Sequence, residues 1–444
     1  MERERLSSKL GFILLSAGCA IGCGNVWKFP WMAGSNGGGL FFIFYAIFLI
    51  LLGVPVLSME LAVGRAAQLS PIKMYQKLEK PGQKWHIHGY FCLIGNILLM
   101  AFYTTVIGWI IYYFIEFLRG NQTTLSFDKL ISNPKLNVIL LFISISLCFI
   151  ILTNKLKSGL EAFTNFMMIS LFLFLIILAI KSLTLKGASE GLSFFLIPDF
   201  SKFNISVIVA AMNQAFFTLS VGLGSMSIFG SYIDKEKSLL GESIKIMILD
   251  SVVAVLAGII IFSSCFTFNI QVNSGPSLLF NSMTSVFNNM IGGRIWGSIF
   301  FLTMIFAAFT TELTVCENIL ACIRELTGWS RKKGSIICGL FLFALSLTTA
   351  LGFSVLYFHP FGKNTTWLDF WDFIVSNNLL PLGALVYTLF CTTNLGFGWD
   401  AFITEVNTGN GIKIKKWMKY IYKYFVPLCI VFIYISNLIS FKWK

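Results

Sequence analysis

The sequence predicts an all-α integral membrane protein of eleven transmembrane helices: two inverted five-helix repeats, with helices one and six broken, plus one extra helix. Three observations lead there. Composition is the first: 56% of residues are hydrophobic and 12% charged, with a mean hydropathy of +0.80, which excludes an ordinary soluble domain. The second is a series of apolar segments. A span needs roughly 20 apolar residues to cross ~30 Å of hydrocarbon, and eleven qualify, near 10–33, 39–64, 89–118, 136–153, 160–181, 204–231, 241–268, 293–323, 335–357, 370–397 and 419–439. The third is that the first and sixth segments are interrupted at their middles by the same device.

The first segment begins at Leu10, after the polar start Met1–Lys9, and is broken at Gly18-Cys19-Ala20-Ile21-Gly22-Cys23-Gly24-Asn25. That start runs straight into a span the fold retains, so no cleavable leader is expected. Spans two to five follow without a linker. The sixth begins near Ile205 and is broken at Thr218-Leu219-Ser220-Val221-Gly222-Leu223-Gly224-Ser225. Spans seven to ten repeat the first pattern. Residues 1–444 therefore read as a single transmembrane domain, with repeat one about 10–182, repeat two about 204–397 and the extra helix about 419–439. Five spans per repeat make the second enter the bilayer from the opposite side, so the repeats are inverted.

Charge sets the orientation. With the N-terminus placed in the cytoplasm, the inward segments hold 22 of the 33 Lys and Arg, as the positive-inside rule requires. Eleven spans then leave the C-terminus outside, in the cell inner (plasma) membrane. The net charge of +13 is a topology signal, and no soluble basic face for nucleic acid is evident. The ten cysteines are scattered, mostly within spans, where a free thiol behaves as a small hydrophobe. Cys19 and Cys23 stand four apart with no further metal ligands nearby. His86 and His88 are expected as surface residues of a short basic loop.

Unpaired backbone costs several kcal/mol in hydrocarbon, so irregular backbone at this depth persists only inside protein or against a cavity. Paired interruptions in two repeats are the best sequence pointer to a transporter's substrate and ion site, although glycines also serve close helix packing. A break exposes N–H groups, which attract carboxylate, and C=O groups, which attract Na⁺ or an ammonium. Asn25, Thr218 and Ser220 add side-chain oxygens, and span eight carries the hydroxyl pair Thr310-Thr311. Carboxylates within spans are functional hypotheses by default: Glu60, Asp250, Glu312, Glu317 and Asp372. An interhelical hydrogen bond is an equal reading for Glu60 and Glu317. Asp250 interrupts an otherwise apolar helix.

Several runs resemble the neurotransmitter:sodium symporter family, in its bacterial amino-acid branch with eleven transmembrane helices. They are Leu10-Gly11-Phe12-Ile13, Ala17 to Gly22, Gly24-Asn25-Val26-Trp27-Lys28-Phe29-Pro30 and Asn36-Gly37-Gly38-Gly39 in the first helix region; Glu60-Leu61-Ala62-Val63-Gly64-Arg65 in the second; Gln214 to Ser220 in the sixth; and Gly275-Pro276-Ser277 before the eighth. The likeness covers nearly the whole chain. The resemblance implies two Na⁺ sites. One is formed by the Ala20 carbonyl, Asn25, Thr218, Asp250 and the substrate carboxylate. The other is formed by the carbonyls of Gly18, Ile21 and Ala307 with Thr310 and Thr311. It implies that the substrate carboxylate meets N–H groups around Cys23 and Gly24 and the Tyr103 hydroxyl. The ammonium would meet carbonyls of Ala20, Phe217 and Thr218 and the Ser220 hydroxyl, while Leu99, Phe217, Leu223, Thr311 and Val315 line the pocket. Lys28 with Asp372 would form the outer gate, and Arg3 with Glu325 the inner one.

The chain departs from the family pattern at several positions. Lys28 replaces the usual Arg, Leu6 a common Trp, and Ile169 the proline expected ten residues after Gly159; Glu312 beside the Thr pair is unexpected. The implied activity is sodium-coupled symport of an α-amino acid by alternating access, with a sodium-coupled amine or osmolyte carrier as the alternative. No nucleophile and base converge, so no enzyme is expected. Monoamine carriers of the family place Asp at Gly22, whereas glycine leaves room for the substrate's own carboxylate, and the apolar pocket favours a hydrophobic or aromatic side chain. Chloride-dependent relatives have Asn where Asp250 stands, in a site matching Tyr45, Gln214, Ser220 and Ala254. A fixed carboxylate there should attract Na⁺ and repel Cl⁻, so chloride independence is expected, with Asp250 the charge substitute. The partners expected are the amino acid and the lipid bilayer, with no nucleic acid and no obligatory protein.

Overall fold

A computed structural model of the chain describes residues 6, 8–272, 276–363 and 365–441. The described residues form helices and no strand, apart from isolated bridges between Gly38 and Pro198 and between Lys237 and Asn410. The site-bearing and membrane-length helices are α1 (Lys9–Ala20), α2 (Gly24–Ser35), α3 (Gly39–Ala67), α4 (His86–Arg119), α5 (Pro134–Thr153), α6 (Lys157–Leu183), α7 (Ile205–Thr218), α8 (Ser225–Gly230), α9 (Leu239–Thr267), α10 (Gly293–Thr327), α11 (Arg331–Leu351), α12 (Trp367–Thr392), α13 (Trp399–Val406) and α14 (Lys416–Ile439). Nine helices among the described residues are long and apolar enough to cross a membrane. A tenth crossing results when α1 and α2, bent by 57° at their break, count as one. The remaining segment of the expected eleven is α7, at 14 residues too short by itself, with α8 beyond an irregular stretch. The break that motivates the functional reading is what shortens this segment.

Both breaks have local causes. Helix α1 starts on the Ser8 hydroxyl, which accepts the Gly11 N–H at 3.0 Å, and ends at Ile21, whose extended backbone turns the chain. After α7, Ser220, Gly222 and Gly224 adopt φ of 50°, 108° and 76°. At Gly222 a Cβ would lie 2.4 Å from the Leu380 carbonyl oxygen, so both the left-handed backbone and the close approach demand glycine. Glu60 satisfies the freed N–H groups: its carboxylate accepts Gly222 N at 2.8 Å and Met226 N at 2.9 Å. Of the two readings open for Glu60, the hydrogen-bonding one describes what it does.

Helices α4, α5, α10 and α11 pack on one another as a frame; α1 lies against α10 of that frame and against α9, and α7 and α8 lie against α3. Large apolar side chains such as Phe166, Ile169 and Leu173 of α6 are exposed on the outer surface, where a bilayer supplies the apolar surroundings. A π-helical turn at Lys157–Glu161 opens α6, and an unbroken α-helix follows over Ala162–Leu183. Ile169 thus continues a helix where a proline would interrupt it.

His88 differs from the expectation. It belongs to α4 and is buried, with its ring against Tyr75 and Tyr387 at centroid distances of 5.3 and 5.5 Å. The short helix Pro71–Leu78 folds over it, which a reading of polarity alone does not foresee. Glu317 also serves structure, taking both Arg331 terminal nitrogens (3.1 and 2.6 Å) and the Tyr232 hydroxyl (3.1 Å).

Arg65 ties α3 to α13. Its Nε donates to Glu405 Oε1 at 2.6 Å, and its terminal nitrogens reach the carbonyls of Lys237 (2.7 Å) and Glu405. Removing one member of a buried ion pair costs about 3–5 kcal/mol, because the other is left uncompensated. Arg65→Gln is therefore expected to lower the thermal unfolding midpoint in detergent clearly, read by fluorescence-detected size exclusion. An unchanged midpoint would show that Glu405 finds a substitute, such as Lys235 at 3.3 Å.

Candidate functional site

The two breaks face each other, and α4, α9 and α10 close the space around them. One oxygen cluster joins three helices. The Thr218 hydroxyl donates to Asp250 Oδ2 at 2.9 Å. Asn25 Nδ2 donates to Asp250 Oδ1 at 2.8 Å, to the Asp250 carbonyl at 3.2 Å and to Thr218 Oγ1 at 3.3 Å, while Asn25 Oδ1 accepts the Gly22 N–H at 3.1 Å. Asn25 and Asp250 are fully buried, with Thr218 nearly so. No Lys or Arg pairs with Asp250 among the described residues; its carboxylate meets an amide and a hydroxyl. Tyr45 lies within electrostatic reach of it. The Tyr45 hydroxyl and Gln214 Oε1 are buried without a hydrogen-bond partner among the described residues.

A second cluster consists of backbone oxygens. The Thr311 hydroxyl lies 3.2 Å from the Gly18 carbonyl, 3.0 Å from that of Ile21 and 3.4 Å from that of Ala307. Thr310 Oγ1 shares the Ala307 carbonyl at 3.0 Å and also bonds Phe306 O at 2.9 Å. Helical geometry explains the meeting: α1 ends at Ala20, which frees its last carbonyls, and Thr311 projects from α10 at the place where they emerge. Both clusters offer hard oxygen donors suited to a hard cation.

A cavity of about 270 Å³ lies between the clusters and one mouth of the bundle. Ala20, Cys23, Gly24, Leu99, Tyr103, Phe217, Thr218, Ser220 and Thr311, all expected from the sequence, are on its wall, as are Lys28 and Asp372. The Tyr103 hydroxyl accepts the Cys23 N–H at 3.3 Å. A Cβ added at Gly22 would lie 2.8 Å from both the Tyr103 and the Thr311 hydroxyl oxygens, so the absent side chain leaves space between them. The Phe217 carbonyl accepts the Ser220 N–H at 3.1 Å.

Two expected pocket residues are elsewhere. Leu223 packs against Gly95 of α4, and Val315 is buried in α10 one turn beyond Thr311; neither is on the cavity wall. Positions inside an unwound segment do not follow helical periodicity, and Leu223, expected in the pocket, turns to α4 instead. Conversely, Trp27, Trp31, Phe102, Val106, Leu368 and Asp369 line the cavity and were not foreseen. A signal existed for two of them: Leu99, Phe102, Tyr103 and Val106 recur at the spacing of one helical face.

The outer gate also differs from the simple pairing. Lys28 Nζ stands over the Phe217 ring, 3.3 Å from its centroid, and Asp372 Oδ1 accepts the Ser376 hydroxyl at 2.6 Å. The two gate residues share the cavity wall without an ion pair. An ammonium is a point charge and lacks the fork with which guanidinium can stack and pair together. A desolvated cation–π contact is worth about 2 kcal/mol. Phe217→Leu is accordingly expected to speed dissociation of a bound radiolabelled substrate by about thirtyfold, and an unchanged rate would remove Phe217 from the barrier. At the other end, Arg3 lies outside the described residues. Glu325 accepts Ser70 N at 3.0 and 3.1 Å and Ser70 Oγ at 2.6 Å. Glu312 is fully buried and accepts the Ser144 hydroxyl at 3.0 Å.

Comparison with known proteins gives the same grouping from end to end. The family described as "Sodium:neurotransmitter symporter family" matches residues 3–129 and 115–444. The chain is similar to the uncharacterized sodium-dependent transporter YhdH of Bacillus subtilis, with 35% identity over 97% of this chain and 96% of that one. An uncharacterized sodium-dependent transporter of Haemophilus influenzae is 33% identical over 98% of each chain. Among solved structures, MhsT in complex with L-phenylalanine superposes with a TM-score of 0.87 at 32% identity, covering 98% of this chain and 100% of MhsT.

Proposed function

Since the chain belongs to the sodium:neurotransmitter symporter family, we propose that it imports an α-amino acid with Na⁺ by alternating access, independently of chloride. The reading includes eleven crossings, α7 and α8 together forming the sixth, with the N-terminus in the cytoplasm and the C-terminus outside. The observation that carries it is the pair of oxygen clusters around the two breaks, with a cavity opening beside them. In the first site a cation would displace the Asn25 amide nitrogen and turn Oδ1 inward, beside Thr218, Asp250 and the Ala20 carbonyl. The second site would use the carbonyls of Gly18, Ile21 and Ala307 with Thr310 and Thr311. The Asp250 carboxylate supplies the negative charge that the first Na⁺ needs.

The substrate carboxylate would lie in the space left by Gly22, against the N–H groups of Cys23 and Gly24, the Tyr103 hydroxyl and the first Na⁺. Its ammonium would face Ser220 and the carbonyls of Ala20, Phe217 and Thr218. Leu99, Phe102, Val106 and Phe217 present apolar surface to the side chain, which favours a hydrophobic or aromatic amino acid; the phenylalanine bound by MhsT supports the same class. Inward movement of one charge across 100 mV releases ~2.3 kcal/mol, enough to concentrate substrate substantially.

A competition screen tests the substrate class. Binding of radiolabelled leucine or tryptophan to the purified protein in Na⁺ should be displaced by hydrophobic and aromatic amino acids. Competition by dopamine or serotonin, with none by amino acids, would instead favour an amine carrier.

A further inference from the structure

Helix α13 and the start of α14 form a groove of about 660 Å³ at the end of the bundle that also holds the Arg65–Glu405 pair. Its wall carries Lys415, Lys416 and Lys419 together with Trp399, Trp417 and Tyr420, against one acid, Asp400. None of these lysines forms an ion pair among the described residues. Lys419 Nζ lies 5.8 Å from the Trp399 ring centroid, whereas Trp417 and Tyr420 are 61% and 69% exposed. The groove is held in shape: Asn407 Nδ2 donates to the Ile414 carbonyl at 3.1 Å, and Ile414 N donates to Asn407 Oδ1 at 2.7 Å. That pair fixes the loop which delivers Lys415 to the foot of α14.

Depth identifies the occupant. Helix α14 runs from Lys416 to Ile439 as an apolar span, so its first turns stand at the membrane boundary. Trp and Tyr are the residues that settle at headgroup level. Lysines next to a leaflet attract anionic lipid, each strengthening binding by roughly fivefold. The unpaired positive charge, the exposed aromatic rings and the boundary position together fit a phospholipid with an anionic headgroup better than a soluble anion.

We propose that this groove binds the headgroup of an anionic phospholipid of the cytoplasmic leaflet, a placement that rests on the orientation given above. The site is coupled to the fold's inner end. Trp399 and Ile403 of α13 face the groove, while Phe402, Glu405 and Val406 of the same helix are buried, and Glu405 holds Arg65 of α3. A bound headgroup therefore braces α13 on the side opposite its contact with α3.

The test is native mass spectrometry of the full-length protein in detergent, titrated with dioleoylphosphatidylglycerol or dioleoylphosphatidylcholine. The parent should retain phosphatidylglycerol in preference. Lys415→Gln/Lys416→Gln/Lys419→Gln should weaken its retention on the order of a hundredfold, and the matching triple Arg variant should restore it. Equal retention of both lipids by the parent, or parental retention by the Gln variant, would overturn the proposal. Failure of the orientation is read separately: a Cys at the exposed position Ile412 should be shielded from impermeant maleimide in right-side-out vesicles. Labelling from outside would place the groove in the other leaflet and overturn the cytoplasmic assignment, even with lipid retention intact.

Discussion

Asp250→Asn should abolish transport or make it depend on chloride, while the parent transports equally well in chloride and in gluconate. Asp250 is fully buried, and its carboxylate is held by Asn25 at 2.8 Å and Thr218 at 2.9 Å, both neutral donors. A unit negative charge 4 Å from Na⁺ contributes ~4 kcal/mol at an effective dielectric near 20, which decides whether the cation stays. Asparagine keeps the shape and removes the charge. An anion admitted beside the Tyr45 hydroxyl, a donor buried without a hydrogen-bond partner among the described residues, is the replacement the site can accept. Uptake into proteoliposomes in the two anions, for parent and variant at matched reconstitution, provides the comparison. A parent that stops in gluconate would end the chloride-independent reading, and an Asn variant indifferent to both anions would reduce Asp250 to an interhelical hydrogen bond.

Gly22→Ala should come next in severity. The added methyl would stand 2.8 Å from both the Tyr103 and the Thr311 hydroxyl oxygens, where the substrate carboxylate belongs in the proposed pose. Overpacking of this kind costs about 1–3 kcal/mol, equivalent to roughly 5- to 150-fold in affinity. The loss should appear in amino-acid binding at saturating Na⁺, with the protein still eluting as a monodisperse peak. Parental affinity in Gly22→Ala would mean that the carboxylate binds elsewhere.

Much of this site can be read from the sequence because membrane-depth chemistry is conspicuous in an apolar chain. Gly-x-Gly breaks, the Thr310-Thr311 pair and Asp250 all stand out where Leu and Val prevail; the structure sets the first break, Thr218, Ser220 and Thr311 on one cavity wall and bonds Asp250 to Asn25 and Thr218. What the sequence leaves open is set by tertiary contacts. Leu223 lies in an unwound stretch and turns to Gly95, which no periodicity foretells. Lys28 prefers the Phe217 ring to Asp372 because of how α2 and α7 approach each other, and a pairing rule between charges does not contain that geometry. His88 is polar by composition and buried by the helix that folds across it. The length of α7 follows from where its break falls, so counting crossings by length alone stops at ten.

A sodium gradient should drive substrate accumulation. The most direct test is uptake of radiolabelled leucine, phenylalanine or tryptophan into proteoliposomes containing the purified chain. An inwardly directed Na⁺ gradient should raise internal substrate above the external concentration, and dissipating that gradient with a sodium ionophore should release it. Uptake that only equilibrates, or accumulation that is the same with K⁺ in place of Na⁺, would rule out sodium-coupled symport.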